Sequence, residues 1–346
     1  MVAFAKEHAI DFAVVTPDDP LVLGMVDAFH QAGIKTFGPT AAAAHIEGSK
    51  VFAKHRMQKH GIPTAAYETF DHAADAIAYI KAQNQFPIVI KADGLALGKG
   101  VLIVNNMQEA ESGIRSIMED KVFGASGSRI VVEEFLTGPE VSVLAFCDGN
   151  TIVPMVSAMD HKRALDHDKG LNTGGMGTVA PNRHYTPEVA ERCMQTIFRP
   201  TVEAMKAGGK PFSGCLFFGL MLTPKGPYVI EYNCRFGDPE TQVVLPLLKT
   251  DLLKIMLAVS NQQLDQIDIE FSKQHAACVI LASGGYPVRY QTGYPIHGLD
   301  PYGQLDGVLV YHAGTQLEDG FYKTAGGRVL GVTATGTTGK EALEKA

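Results

Sequence analysis

Between Tyr228 and Gln242 the chain reads YVIEYNCRFGDPETQ. On a strand, side chains alternate in direction, so Glu231, Asn233 and Arg235 project from one face. Glutamate and asparagine offer hard oxygen ligands suited to magnesium, and Arg235 stands where a transferring phosphoryl group or a carboxylate would meet it. Three polar groups on one face of an apolar strand are costly in a core unless each is satisfied, so a purely structural network is the competing reading.

A second constellation is PIVIKADGLALGKG, Pro87 to Gly100. Glycines let backbone N–H groups approach phosphate oxygens, and Lys91, Gly98 and Lys99 would add charge and close approach. It is not a P-loop: only three residues separate Gly94 from Gly98-Lys99, and Gly100 stands where Ser or Thr should hold the metal. A flap between two antiparallel strands fits better, with a flexible hairpin bearing surface lysines as the alternative. Lys91 lies inside an otherwise apolar strand, and a buried lysine needs an anionic partner. Downstream, VVEEFLTGPEVS offers a strand ending at Glu133, a connector through Phe135 and Leu136 whose backbone suits a flat base, and the carboxylate of Glu140, suited to a sugar hydroxyl; without the lysine loop, a solvated acidic turn is the better reading. Asp160-His-Lys162-Arg163 followed by Asn172-Thr-Gly174-Gly175-Met-Gly177 could hold a phosphorylated or carboxylate substrate, or could be an exposed loop.

These groups need a frame. Strands alternate with helices up to about residue 48 (strand Ile10–Val15, helix Leu21–Ala32, strand Ile34–Phe37), the signature of a parallel sheet. Ser49 reads as the N-cap of a helix to His60, stopped by Gly61 and Pro63. Helices over His72–Ala82 and Glu109–Glu119 and strands at Phe86–Lys91, Val101–Val104 and Ile130–Glu133 form a small α+β unit. A hairpin joins Val141–Phe146 to Thr151–Val156. Asp160–Gly177 reads as a polar, glycine-rich stretch. Thr186-Pro187 opens a helix running to Gly208. Strands Cys215–Leu222 and Tyr228–Tyr232 follow, then a helix Leu245–Ser260, and from Ser272 short strands dominate.

With 346 residues the chain is large enough for two to three packed units, and 46% apolar with 19% charged residues is a globular composition. A formal charge of −7 gives no basic excess for holding a nucleic acid along its length. The longest apolar stretch, Cys215–Leu222, is far short of the roughly 20 residues of a membrane-spanning helix. Five widely spaced cysteines suggest neither a disulfide framework nor a zinc site, and point to a reducing, cytoplasmic setting.

Together these residues resemble the ATP-grasp ligases: Lys91 and Lys99 about the glycine loop, Glu133-Glu-Phe-Leu136 with Glu140, and Glu231-x-Asn233-x-Arg235. The run Asn233–Gln242, with Asp160–Arg163 and Asn172–Gly177, is similar to the phosphoribosylamine–glycine ligase family, and the similarity runs along the whole chain. The resemblance implies an α/β and α+β ATP-grasp fold: a partial N-terminal parallel α/β domain (1–48), an ATP-grasp domain (49–272) with a lid at 68–135, and a small β-rich C-terminal domain (273–346). It implies ligation of glycine to 5-phosphoribosylamine with ATP and Mg²⁺ or Mn²⁺ through glycyl phosphate, giving ADP and phosphate, by a cytoplasmic monomer with no nucleic-acid or membrane partner. Carried over by motif, Lys91, Gly98 and Lys99 would bind the ATP phosphates, Glu133 and the backbone at Phe135 and Leu136 the adenine, and Glu140 the ribose. Glu231 and Asn233 would hold the metal, and Arg235, with Lys99, would stabilise phosphoryl transfer. Asp160, Lys162, Arg163, Asn172, Gly174, Gly175 and Asp238 would lie near the acceptor and glycine.

Two departures stand out. Many ATP-grasp enzymes carry another metal-binding acid about a dozen residues before Glu231, where this chain has Phe218-Gly-Leu-Met-Leu222; a second magnesium held fully by protein is not expected. Both ends read as cut, without the strand and glycine-rich loop that open the family's N-terminal domain, so the expectation is a longer ligase whose ATP site is whole and whose phosphoribosylamine site is not. Another ATP-grasp carboxylate–amine ligase, or a nucleotide-binding module without turnover, are the rival readings.

Overall fold

The longest apolar runs become the central sheet. Ser213–Thr223 pairs on one side with Gly226–Asn233 and on the other with Glu140–Asp148, which also pairs with Ile152–Pro154, all antiparallel. Alternation along a strand sends neighbours to opposite faces. Val141, Val143, Ala145 and Cys147 pack with Leu216, Phe218 and Leu220 against Met57, Phe198 and Met205. Leu144 and Phe146, with Cys215 and Phe217, pack instead against Ile255, Met256 and Val259. The sheet is therefore covered by helices on both faces, which is why these strands read as continuous apolar runs rather than as alternating ones.

The computed structural model describes residues 1–96, 100–167 and 169–346. A second antiparallel sheet has the order Tyr67–Phe70, Ile130–Glu134, Ile88–Ala92, Val101–Val104. One face, with Ile88, Ile90, Ile130 and Val132, packs on the helices Ala73–Gln83 and Met107–Met118 through Ala76, Ile80, Ile114 and Ile117. The other face, carrying Val89, Lys91 and Glu133, is left for the cleft. Ser49 caps the helix Lys50–Lys59, its Oγ accepting from the Phe52 N–H at 3.1 Å. The same Oγ donates to Asp93 Oδ1 at 2.8 Å, tying that helix start to the turn that leaves the strand of Lys91.

Near the N-terminus Phe12–Val14 pairs in parallel with Lys35–Phe37, as the alternation of elements predicts. The single helix expected over Leu21–Ala32 is instead two, Asp18–Val22 and Met25–Gln31, because Gly24 between them adopts φ +88°. The expected helix Leu245–Ser260 is also divided: a short helix Thr241–Val244 runs into a 3₁₀ turn at Leu245–Leu247, and a new helix begins at Leu252 under the side-chain cap of Asp251. The polar stretch after residue 159 is more ordered than its composition suggests. Arg163–Leu165 and Lys169–Asn172 form a small hairpin. Met159–Asp160 and Gly177–Ala180 become strands of a five-stranded sheet in the order Leu309–His312, Arg328–Gly336, His275–Ala282, Gly177–Ala180, Met159–Asp160. Among the described residues no helix is long and apolar enough to cross a membrane.

Candidate active site

A cleft of about 1510 Å³ opens between the Lys91 sheet, the connector Phe135–Pro139, and the end of the strand Gly226–Asn233. Glu231, Asn233 and Arg235 all line it, while the side chains of Tyr232 and Cys234 between them pack into the core, Tyr232 touching the cleft as well. Strand alternation accounts for Glu231 and Asn233; the strand ends there, and Arg235 reaches the cleft from the bend that follows. Opposite Glu231 in register stands Gly219, whose added Cβ would come within 3.0 Å of Glu231 Cγ, so the neighbouring strand offers space and no second acid. Register then slips by one residue, leaving Ile230 as a bulge whose carbonyl accepts from Lys91 Nζ at 2.9 Å.

Burial pushes the Glu231 carboxyl up, but Lys162, Lys91, Lys50 and Arg235 outweigh it and hold the group below its ordinary value. Asn233 Nδ2 donates to Glu47 Oε1 at 2.8 Å, which leaves its Oδ1 as the atom available to a cation. An ionised carboxylate and an oriented amide oxygen fit a hard divalent ion completed by water or phosphate oxygens, as magnesium and manganese sites are. Among the described residues no cluster of three or more His, Cys, Asp or Glu forms a self-sufficient metal cage.

Lys91 and Glu133 meet on the cleft face of their sheet. Glu133 Oε2 lies 3.1 Å from Lys91 Nζ and 3.0 Å from Lys54 Nζ, with all three side chains almost wholly buried. Among the described residues, Glu133 Oε1 is buried without a hydrogen-bond partner. Burial draws the Lys54 ammonium down to about 8, with Glu133 opposing. The sequence thus expects an anionic partner for Lys91, and one carboxylate shared by two lysines supplies it. Phe135 is exposed and Leu136 half-buried along the cleft rim. Gly138 presses the connector onto the next strand: a Cβ there would stand 2.1 Å from the Leu222 carbonyl oxygen. Gly98 and Lys99 lie outside the described residues.

At the other end of the cleft Lys162 Nζ pairs with Glu140 Oε2 at 3.1 Å. Burial opposes the Lys162 charge, yet Glu231, Glu140 and Asp160 together raise its affinity for the proton. Asp160 is the reverse case: burial and Glu240 push its carboxyl up to about 8 despite Lys162, and its Oδ1 has no hydrogen-bond partner among the described residues. Arg163 Nη1 donates to the Gly170 carbonyl at 2.9 Å, bracing the hairpin that ends at Asn172. Arg163, Asn172, Gly174 and Asp238 line the cleft; Gly175 lies just behind, at φ +108°, where a Cβ would meet Pro239 and Asp160.

The geometry is that of one cleft with the Lys54–Glu133–Lys91 cluster at one end, the connector Phe135–Pro139 along its rim and a polar cluster about Asp160 and Lys162, and comparison places most of the chain. Residues 1–47 match the phosphoribosylglycinamide synthetase N domain, 48–241 its ATP-grasp (A) domain, and 276–346 its C domain. The chain belongs to the phosphoribosylglycinamide synthetase family. A phosphoribosylamine–glycine ligase of Vibrio vulnificus is 48% identical over 347 aligned residues, spanning 100% of this chain and 80% of that protein. The crystal structure of phosphoribosylamine–glycine ligase from Thermotoga maritima superposes with a TM-score of 0.81 at 37% identity, covering 90% of this chain and 76% of that one. A biotin carboxylase of Campylobacter jejuni shares the fold alone, at TM-score 0.77 and 17% identity over 99% of this chain and 75% of its own.

Within this phosphoribosylglycinamide synthetase frame, three residues of the site escaped the sequence reading. Lys54 shares the buried side of its helix with Val51, Ala53 and Met57, so a lysine amid apolar helical positions was its available signal. Glu47 precedes that helix and is buried. Its Oε1 accepts from Asn233 Nδ2 and lies 3.4 Å from Arg235 Nη2, and its Oε2 accepts the Cys234 N–H at 2.7 Å and its Sγ–H at 3.0 Å. One carboxylate thus fixes three consecutive residues, Asn233 to Arg235, where the strand Gly226–Asn233 ends, across a sequence separation that no local pattern reveals. Glu240, buried and accepting from Ser142 Oγ at 3.0 Å, acts differently: its carboxyl repels that of Asp160 and helps to keep a proton there.

Proposed function

We propose that this chain joins glycine to 5-phosphoribosylamine at the expense of ATP, releasing ADP and phosphate. The observation that carries the reading is the convergence of Glu231, Asn233 and Arg235, set beside Lys91 and Lys162 in one cleft of a chain matched along its length by the three synthetase domains.

A glycine carboxylate is a poor acylating group because its oxygen leaves badly. Its oxygen attacks the γ-phosphorus of ATP and ADP departs, giving glycyl phosphate. The amine nitrogen of phosphoribosylamine then attacks the acyl carbon, loses a proton, and expels phosphate that carries the former glycine oxygen. Catalysis of this kind is alignment, charge neutralisation and exclusion of water. Lys91, with Gly98 and Lys99 of the glycine loop, holds the phosphates, and Arg235 balances charge on the transferring group. The connector backbone at Phe135 and Leu136 meets the adenine, and Glu140 the ribose. Glu133 exchanges Lys91 for the base's amino group, which frees that lysine for the phosphates. A divalent ion, Mg²⁺ or Mn²⁺, would be held by Glu231 and Asn233 and would supply further neutralisation of phosphate charge. Asp160, Lys162, Arg163, Asn172, Gly174, Gly175 and Asp238 orient the two acceptor substrates. Residues 68–135, with an apolar cluster of their own, act as a lid that keeps water from the acyl phosphate. The proposed division is 1–48, 49–272 and 273–346, in a monomer acting on small molecules; five buried, unpaired cysteines support a cytoplasmic setting.

Phosphate release from ATP by the purified protein tests the reading. The expected result is release that requires both glycine and phosphoribosylamine. Release supported by a different carboxylate or amine would assign the chain to another ATP-grasp ligation, and ATP binding without release under any acceptor would make it a nucleotide-binding module.

A further inference from the structure

The acceptor end of the cleft is closed by a residue from far along the chain. Arg328 begins the strand Arg328–Gly336, and its guanidinium reaches back to the loops that follow Asn172 and Arg235. Nη2 donates to Asp238 Oδ2 at 2.7 Å. Nη1 donates to the Gly174 carbonyl at 2.7 Å and lies 3.4 Å from the carbonyl oxygen of Asp238 and 3.5 Å from that of Gly175. The remaining polar group of Gly174, its N–H, donates to Tyr286 Oη at 3.1 Å. Both backbone polar groups of one loop residue are thus held from the C-terminal unit, and the same guanidinium grips the second loop.

The fit leaves little slack. A Cβ on Gly174 would stand 3.0 Å from the Arg328 guanidinium carbon, and one on Gly175 2.5 Å from Pro239 Cδ. Only a planar fork with several fixed donors can serve a carboxylate and neighbouring carbonyls at once; a lysine offers one mobile point charge. Asp238 has its other oxygen engaged as well, Oδ1 accepting from Gln242 Nε2 at 2.7 Å, so the carboxylate is held in a single orientation.

We infer that Arg328 is a positioning residue for the acceptor subsite: by bridging Gly174 and Asp238 it fixes the register of the two loops that receive glycine and the amine. The inference rests on the ligase reading above and deepens it, because it makes the C-terminal sheet part of the acceptor site. None of the Arg328 contacts reaches the Lys54–Glu133–Lys91 end of the cleft, so its loss separates acceptor recognition from ATP binding.

The test compares wild type with Arg328→Ala, Arg328→Lys and Tyr286→Phe, the last two being milder changes if the alanine variant fails to fold. Arg328→Ala is expected to raise KM for glycine and for phosphoribosylamine by about tenfold or more, since small misplacements of reacting groups carry costs of that order. The ATP dissociation constant is expected to stay within about twofold, a difference of less than 1 kcal/mol. Lysine restores part of the acceptor KM, and Tyr286→Phe gives a smaller shift in the same direction. Equal losses for ATP and acceptors, or unchanged acceptor KM, would overturn the assignment. Amide hydrogen exchange provides a readout independent of turnover: it is expected to quicken over 173–177 and not over 101–104. Should wild type show no glycine-dependent phosphate release, the ligase reading falls and exchange alone decides, quickening confined to 173–177 upholding Arg328 as the loop's positioning residue and unchanged exchange rejecting it.

Discussion

Four cations hold the Glu231 carboxyl ionised inside the protein, so replacing it changes charge at the proposed metal site. Glu231→Gln keeps the shape and removes the charge; we expect phosphate release to fall on the order of 10²-fold or more, and a near-normal rate would remove Glu231 from the metal site. Glu47 acts one step back, through Asn233 and Arg235. Glu47→Ala is expected to raise the divalent-ion concentration for half-maximal binding, followed directly with Mn²⁺ and ATP, by about 10–100-fold, as loss of an outer-shell partner does. Asp160 gives a prediction in pH. Its folded carboxyl keeps a proton up to about 8 against an ordinary 3.8, so the folded state binds more protons throughout that window. Stability from this group is therefore present in acid and is lost as pH rises towards 8. In thermal melts from pH 5 to 8, Asp160→Asn should flatten the decline, and an unchanged slope would contradict the burial of that carboxyl. Glu231, Asn233 and Lys91 were legible because local alternation places them. Glu47 was not, because its partners lie more than a hundred residues away and a lone glutamate at a helix end carries no pattern.

Strands of the central sheet were legible for a related reason: buried on both faces, they are unbroken apolar runs, and the order Cys215–Leu222 then Tyr228–Tyr232 is found within longer strands. Helix limits were less so. A glycine at φ +88° split one helix, and a new cap at Asp251 restarted another; both are backbone decisions that apolar spacing does not register. The connector Phe135–Pro139, proposed to carry the base, depends on a similar backbone decision. Gly138 adopts φ +149° with the Leu222 carbonyl directly against its Cα. Gly138→Ala is expected to cost about 1–3 kcal/mol in chemical denaturation, the range for overpacking, and to weaken ATP binding with it. Unchanged ATP affinity would mean that the connector does not carry the base.

On the scale of the whole molecule, the five-stranded sheet joins Met159–Asp160 and Gly177–Ala180 to strands beyond residue 275. Pairing across such separations leaves no periodic trace in a sequence, which is why the Asp160–Gly177 stretch read as a loop while its glycines and basic residues still read as a site. The sheet brings Arg328 to Asp238, and the Lys91 sheet brings its lysine to the Ile230 bulge, so two distant units converge on one strand end. That convergence suits the proposed two-step ligation, which needs ATP on one side and glycine with the amine on the other to meet in a single cleft. The central claim is activation of the glycine carboxylate by phosphoryl transfer, and an oxygen label follows it directly. With glycine carrying ¹⁸O at both carboxylate oxygens, unlabelled ATP and phosphoribosylamine, the account predicts one ¹⁸O in each phosphate released. Phosphate free of label would contradict it.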